Sequence, residues 1–155
     1  ILIIFQSYVI LKLLEYLLLQ LQIYVEFSNM KLTFGKNEKL KRRKAFDELF
    51  SDGKTFVSHP IRFVYKIKPK KEYDIRVGVS VSKKKFKHAV DRNLLKRRSR
   101  EAYRLNKLLV ESSENYSIDL VMIYTSSKHQ PFEIIEKSVK TLLEKLNVAI
   151  QTKKD

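Results

Sequence analysis

The chain has 155 residues, and its 32 Lys and Arg against 17 Asp and Glu give a formal net charge of +15 at pH 7. Hydrophobic residues make up 44% of the sequence, which suits the core of one ordinary domain and is too much for a disordered basic tail. The absence of Cys excludes disulfides, thiolate nucleophiles and Cys-ligated zinc. Composition therefore predicts a compact basic domain that binds a polyanion.

The first 29 residues differ from the rest of the chain. They carry one base and two acids, so residues 30–155 hold 31 bases and 15 acids, a net charge of +16. This first segment is rich in Leu and Ile, but polar residues interrupt it before about 18 consecutive apolar residues accumulate, which weakens the prediction of a transmembrane helix. It also lacks the early basic region and the small-residue cleavage site of a secretory signal.

We expect residues 1–29 to be an N-terminal apolar extension outside the native domain, with translation starting at Met30. Residues 30–155 are then a single domain. The alternative is that residues 1–29 form a membrane-associating amphipathic helix, and the N-terminus of the native protein distinguishes the two hypotheses.

The predicted elements of the domain begin with one helix and three strands. Residues 36–50 have near-helical apolar spacing and predict a short helix capped by Asn37. Residues 54–57 and 61–67 are rich in aromatic and branched side chains and predict strands. Residues 75–81 alternate in the same way after a turn, so we expect the three strands to form an antiparallel hairpin or meander.

The second half of the domain predicts two helices around one strand. Residues 90–112 predict a long helix, and the mostly apolar residues 116–125 predict a strand buried on both faces in the middle of a sheet. Residues 131–150 predict an amphipathic helix that covers the sheet. The order α-β-β-β-α-β-α indicates the α+β class, built as a two-layer α/β sandwich with helices on a mainly antiparallel sheet.

The densest positive charge lies between Lys83 and Lys107, with eleven bases and two acids. At about 100° per residue, the predicted helix gathers most of its bases in one stripe and its apolar residues on the other side. A stripe with so few acids repels itself until an anion binds, and the planar forks of Arg match phosphate, so a nucleic acid backbone is the predicted ligand. The predicted stripe consists of Arg92, Asn93, Lys96, Arg97, Arg100, Tyr103 and Arg104, and the predicted core face of Leu94, Leu95, Ala102, Leu105 and Leu109.

Arg98 does not fit this assignment, because it falls inside the apolar arc. Two explanations stay open. Its long side chain extends past the edge of the helix into solvent, or the predicted helical phase is wrong by some tens of degrees.

Two consecutive motifs, one in the third predicted strand and one in the basic helix, resemble those of the protein subunit of bacterial ribonuclease P. Residues 76–84 have the sequence RVGVSVSKK and residues 92–101 the sequence RNLLKRRSRE. The pattern of the first predicted helix and that of residues 119–125 are also similar to the family. The resemblance therefore covers residues 32–150 and leaves only the first segment outside it.

The resemblance implies a ribosomal protein S5 domain 2-like fold and a subunit of an endoribonuclease, a hydrolase of the ribonucleoprotein type. In that family the RNA subunit binds divalent metal and cleaves precursor tRNA, so no catalytic side chain and no metal site are expected on the protein. No cofactor is expected on the protein alone, and Mg²⁺ is expected on the RNA subunit. The implied partners are ribonuclease P RNA and precursor tRNA, with no membrane, in the cytoplasm.

The resemblance also implies two RNA-binding sites. The basic helix and the turn before it contact the catalytic RNA through Lys83, Lys84, Arg92, Asn93, Lys96, Arg97, Arg100 and Arg104. A cleft between the first helix and the sheet holds the single-stranded 5′ leader of the precursor, because aromatic faces accept bases without sequence preference. The implied cleft residues are Phe46, Phe50, Arg62, Val64 and Lys66.

Alternatives to these cleft residues remain. Phe46 and Phe50 have a spacing that is equally typical of core residues. On the strand, the opposite set of Phe63 and Tyr65 is the other candidate to line the cleft, and we favour the first set because a solvent-facing set is the more polar one.

The main alternative function is that of a basic ribosomal or structural RNA-binding protein, since composition does not separate the two classes. The ordered motifs favour ribonuclease P. A membrane-anchored basic protein depends on the first 29 residues, and a DNA-binding protein is disfavoured because no helix-turn-helix pattern accompanies the basic helix.

Overall fold

The structure is a computed structural model, and it describes residues 1–29 and 32–153. The chain divides into two units, Ile1–Thr33 and Phe34–Asp155. The elements in chain order are α1 (Leu2–Asn29), α2 (Arg43–Asp52), β1 (Lys54–Ser58), β2 (Ile61–Pro69), β3 (Ile75–Val81), α3 (Ala89–Asn106) followed by a 3₁₀ turn (Lys107–Leu109), β4 (Tyr116–Tyr124) and α4 (Phe132–Gln151).

The first unit is a continuous helix of 28 residues, α1. Within it, Ile4–Glu26 is long and apolar enough to cross a membrane, by length and composition alone. Lys12 forms an ion pair with Glu15 at 2.8 Å, one turn along the helix. The extension and the membrane hypotheses both stay predictions, and Met30, the predicted start, lies outside the described residues.

The second unit is built on a four-stranded sheet with the order β1-β2-β4-β3. The hairpin of β1 and β2 is antiparallel, β2 pairs antiparallel with β4, and β3 pairs parallel with β4. The predicted hairpin of the first two strands is therefore confirmed, whereas its continuation into β3 as a meander is wrong. β4 lies between β2 and β3 because it is the strand that is buried on both faces, as the sequence predicted.

Each face of this sheet packs against different helices. On one face, α3 and α4 cover a core that includes Phe63, Tyr65 and Leu120. On the other face, Ala45 and Leu49 of α2 pack against β2 and β4. The predicted α+β fold is confirmed, and the face under α2 is the one whose strands carry most of the charged side chains.

α2, the first helix of the second unit, begins later in the chain than the helix predicted over residues 36–50. Its first residue is Arg43, and Arg42, not Asn37, is the N-cap residue. Before it, a turn at residues 36–38 leads into a bridge to the outer edge of β3, where Leu40 N donates to Val77 O (3.0 Å) and Val77 N donates to Glu38 O (2.7 Å). Pairing with the open edge of a sheet satisfies backbone groups on both segments, and this outweighs the helical propensity of the Lys and Arg residues.

The other two helices match their predicted positions more closely. α4 covers Phe132–Gln151, with Pro131 before it as the N-cap residue. α3 ends at Asn106, six residues before the predicted end, and a short 3₁₀ turn follows.

Candidate nucleic-acid interface

The buried face of α3 differs from the predicted one. The residues of α3 that are buried are Leu95, Ser99, Ala102 and Tyr103, so the buried face is turned by about 70° relative to the predicted core face. Tyr103, predicted in the polar stripe, is only 2% exposed, whereas Leu94 and Leu105, predicted in the core, are 37% and 40% exposed.

Two local contacts explain this change of phase. The ring of Tyr103 packs edge-on against Phe34, with centroids 5.7 Å apart. The hydroxyl of Ser99 donates to Leu95 O of its own helix at 2.9 Å, so a small polar residue is buried without an unsatisfied group. A helical wheel that counts Ser as polar does not place Ser99 on the buried face, and so it misses this part of the core.

Arg98 is explained by the same rotation. It lies at the edge of the buried face, half-buried, and its Nη1 donates to Gln130 O at 3.0 Å. Arg98 therefore ties α3 to the loop before α4.

The turn before α3 is held by the first arginine of the predicted site. Arg92 Nη1 donates to Phe86 O at 2.9 Å and to Lys87 O at 2.6 Å. These bonds give Arg92 a part in the local fold that the sequence did not predict. Lys83 and Lys84 are exposed in the same turn.

The outward face of α3 is strongly basic. Asn93, Arg97 and Arg100 are exposed, and Lys96 is half-buried beside them. Arg104 donates from Nε and Nη2 to the carboxylate of Glu101, at 2.9 and 2.6 Å, and this hydrogen bond lowers the pKa of Glu101. Glu101 is thus already paired with Arg104, and within the described part of the chain no ion pair forms to Arg97 or Arg100.

The two phenylalanines of α2 differ in burial. Phe50 is 56% exposed, so it is not a core residue. Phe46 is half-buried because its ring lies on β3 at Gly78, where a Cβ atom would come within 2.6 Å of Phe46 Cζ. Only glycine leaves room for this contact. Both rings lie on one side of α2, since they are four residues apart.

On β2, the predicted cleft residues lie on the α2 face of the sheet. Arg62 is exposed, and Lys66 forms an ion pair with Asp52 at 2.8 Å. Val64 is only 6% exposed and packs under Ala45 and Leu49, so the prediction that it lines an open cleft is wrong. The physical reason is that α2 crosses the sheet directly above it. The opposite set, Phe63 and Tyr65, is buried in the core under α3 and α4.

The structure also shows a charged cluster that the sequence analysis did not identify. The side chain of Asp119, in the middle of β4, is completely buried. It accepts hydrogen bonds from Arg76 Nε and Nη2 (both 3.0 Å to Oδ1) and from the hydroxyl of Tyr73 (3.0 Å), and it forms an ion pair with Lys68 (2.8 Å). Lys68 also pairs with Glu48 of α2 at 2.8 Å. The sequence did contain one signal for this cluster. Asp119 lies within an otherwise apolar strand, and a buried acid of this kind needs bases on the neighbouring strands.

These partners keep Asp119 ionised. Burial raises the pKa of its carboxyl, but the hydrogen bonds from Lys68, Arg76 and Tyr73 lower it by more, and the net shift is downward. The guanidinium of Arg76 also lies over the ring of Tyr73, 3.9 Å from its centroid. The cluster therefore fixes the positions of two bases on the α2 face of the sheet.

Within the described part of the chain, no three His, Asp or Glu side chains are grouped to hold a metal ion. The expectation that the protein alone binds no cofactor stays a prediction.

An exposed arginine face on α3 and a partly covered sheet face with an exposed aromatic ring define a basic α+β protein of the nucleic-acid-binding class. The family model described as Ribonuclease P matches residues 34–147. The chain belongs to the ribonuclease P protein family.

Individual relatives agree with this assignment. The ribonuclease P protein component of Clostridioides difficile (strain 630) is 36% identical over 119 residues, which cover 77% of this chain and 100% of that protein. That of Porphyromonas gingivalis (strain ATCC 33277) is 42% identical over 65 residues, which cover 39% of this chain and 47% of that protein. The chain thus matches about half the length of this second relative.

Two solved structures share the fold. The ribonuclease P protein from Thermotoga maritima superimposes with a TM-score of 0.58 at 27% identity, over 70% of this chain and 96% of that one. The ribonuclease P protein of Staphylococcus aureus gives a TM-score of 0.57 at 26% identity, over 72% and 96% of the two chains. These similarities favour the ribonuclease P assignment over a ribosomal protein.

Proposed function

We propose that this chain is the protein component of a ribonuclease P holoenzyme. It binds the catalytic RNA and the 5′ leader of precursor tRNA, and so assists removal of the leader to give the mature 5′ end. The RNA subunit, with Mg²⁺, carries out the hydrolysis in this proposal, and the protein works in the cytoplasm without a cofactor of its own.

The main observation that supports this proposal is that α3 presents a basic, exposed face in a chain that belongs to the ribonuclease P protein family. Arg97 and Arg100 are exposed and form no ion pair with any residue in the described ranges 1–29 and 32–153, and Asn93 on the same face offers a neutral donor and acceptor. Such a face suits phosphate and ribose groups of a folded RNA, because guanidinium groups bind phosphate with paired hydrogen bonds. We assign this face to the catalytic RNA.

The aromatic side of α2 suits the leader. The exposed ring of Phe50 offers a stacking surface, Phe46 lies next to it over β3, and Arg62 supplies an exposed charge on β2. A positive groove with aromatic rings is the usual arrangement for binding single-stranded nucleic acid without sequence preference. We therefore place the leader across this side of the sheet.

Phe50→Ala tests the assignment of the leader. Stacking of one base on an aromatic ring is worth about 1–3 kcal/mol, so we expect about tenfold weaker binding of leader-bearing precursor by the holoenzyme. Binding of leaderless tRNA stays unchanged. Phe50 is preferred to Phe46 for this test because Phe46 also packs against β3, so its removal affects folding as well.

Val148→Ala is the matched control, since Val148 is an apolar residue on α4 that is 64% exposed. It should leave both affinities unchanged. Equal losses for leader-bearing and leaderless RNA in Phe50→Ala contradict the assignment.

A further inference from the structure

A second basic region lies at the start of α2, separate from the α3 face. A pocket of about 580 Å³ opens there between α2, the end of β2 and the start of β3. Two acids, Glu48 and Glu72, also line it. The bases that line it are Arg42, Lys44, Lys68, Lys71 and Arg76.

The buried carboxylate of Asp119 fixes two of these bases. It bonds to Arg76 through Nε and Nη2, and Nη1 takes no part in these bonds. The guanidinium also lies over the ring of Tyr73, with its Cζ 3.9 Å from the ring centroid, so it is contacted from a second side. A guanidinium whose orientation is fixed in advance loses little freedom when it binds a second anion.

The pocket retains positive charge after its internal pairs are counted. Lys68 is held by Asp119 and Glu48, and Arg76 by Asp119. The other three bases, Arg42, Lys44 and Lys71, are exposed and form no ion pair with any residue in the described range 32–153. The charges on the pocket thus favour an anion and disfavour a metal ion.

The position of the pocket indicates which anion it takes. Ala45, which lines the pocket, precedes Phe46 in α2, and Arg76 lies two residues before Gly78, the residue beneath the Phe46 ring. Two residues on a strand span about 7 Å. A single strand of RNA whose base lies against Phe46 therefore carries a neighbouring phosphate to the pocket.

We propose that this pocket binds a phosphodiester group of the precursor leader, with Arg42, Lys71 and Arg76 as its ligands and Asp119 as a positioning residue. The proposal rests on the proposed function, and it extends the leader path beyond the aromatic rings toward the start of α2. It gives the protein a charge-dependent contact with the leader in addition to base stacking.

The test uses the full chain assembled with a bacterial ribonuclease P RNA. The variant is Arg42→Gln with Lys71→Gln, two exposed residues that form no ion pair within residues 32–153, and thermal unfolding followed by circular dichroism verifies its fold. The control is Lys140→Gln with Lys145→Gln, which removes the same charge from exposed positions on α4, on the other face of the sheet. The substrates are precursor tRNAs whose leaders increase in length one nucleotide at a time from zero.

We expect the variant to bind about tenfold more weakly than wild type only to leaders long enough to reach the pocket, since charge-assisted hydrogen bonds are lost. The dependence of the leader contribution on salt should also become less steep by about 0.7 for each lost contact. The control should match wild type at every leader length.

A second series places one methylphosphonate, an uncharged linkage, at successive positions of a long leader. One position should weaken binding by wild type strongly and binding by the variant much less, because the variant has already lost two of the three proposed contacts to that phosphate and keeps only Arg76. Equal sensitivity of wild type and variant at every position overturns the proposal. The proposal is also overturned if the variant loses as much affinity for leaderless tRNA as for leader-bearing precursor. The same holds if the variant is impaired only in assembly with the RNA subunit.

Failure of the proposed function itself gives a different result. In that case wild type binds leader-bearing and leaderless tRNA equally, at every leader length, and both proposals are contradicted together.

Discussion

Replacing Arg97 and Arg100 together by Ala weakens assembly with the catalytic RNA by about a hundredfold. Both side chains are exposed on the outward face of α3, and hydrogen bonds to charged groups contribute about 1.5–3 kcal/mol each. Fewer counterions are released on binding, so the slope of log affinity against log salt also decreases, by about 0.7–0.9 for each lost phosphate contact. A filter-binding titration at several salt concentrations measures both quantities.

The matched control is Lys140→Ala with Lys145→Ala on α4, which removes the same charge from another surface and should leave the affinity within about twofold. Unchanged affinity and salt slope for the α3 variant contradict the assignment of this face. Arg92 is a poorer choice for this test than the sequence suggested, because its bonds to Phe86 O and Lys87 O make it part of the turn before the helix.

Asp119→Ala lowers the free energy of unfolding by about 3–5 kcal/mol, the usual cost of removing one partner from a buried ion pair. The substitution leaves the Lys68 ammonium and the Arg76 guanidinium without the carboxylate that holds them. Urea unfolding at pH 7 measures the effect. Asp47→Ala is the control, since Asp47 is exposed on α2 and should change stability by less than about 0.5 kcal/mol.

The pH dependence of this variant gives a second result. The pKa of Asp119 is lower in the folded protein than in the unfolded chain, where Asp has a pKa of about 3.9. Its contribution is therefore present above about pH 4 and is lost as the pH falls through the folded value. Wild type should lose more stability than Asp119→Ala between pH 5 and pH 2, and equal losses contradict the ion-pair account.

Some elements could be predicted because their own residues determine them. β4 has an apolar run of strand length, which fixes both its type and its central place in the sheet. α4 begins after Pro131 and has a wide apolar stripe, so its limits and its buried face follow from local pattern.

Other features depend on contacts between distant parts of the chain. Residues 36–42 have a composition that suits a helix, yet residues 38–40 pair with the edge of β3. The order of the strands depends on β3 pairing with β4 across α3, which no local pattern reports. The phase of α3 depends on Tyr103 meeting Phe34 and on the internal bond of Ser99.

The features of the candidate site are of the same two kinds: some follow from the local sequence pattern, and others depend on tertiary contacts. The exposure of Asn93, Arg97 and Arg100 follows from the amphipathic pattern of α3, even with a phase error. The burial of Val64 depends on where α2 crosses the sheet. The pocket at the start of α2 gathers residues from α2, β2, β3 and the segment between the two strands, and Asp119 of β4 holds two of its bases, so only tertiary structure assembles it.

The most direct test of the central claim is cleavage by a reconstituted holoenzyme. The full chain is mixed with a bacterial ribonuclease P RNA and a precursor tRNA that carries a 5′ leader, and cleavage is followed at low Mg²⁺ with and without protein. Our account predicts cleavage at the mature 5′ end that depends on the protein. No stimulation by folded protein, with an RNA that is active alone at high Mg²⁺, would contradict it.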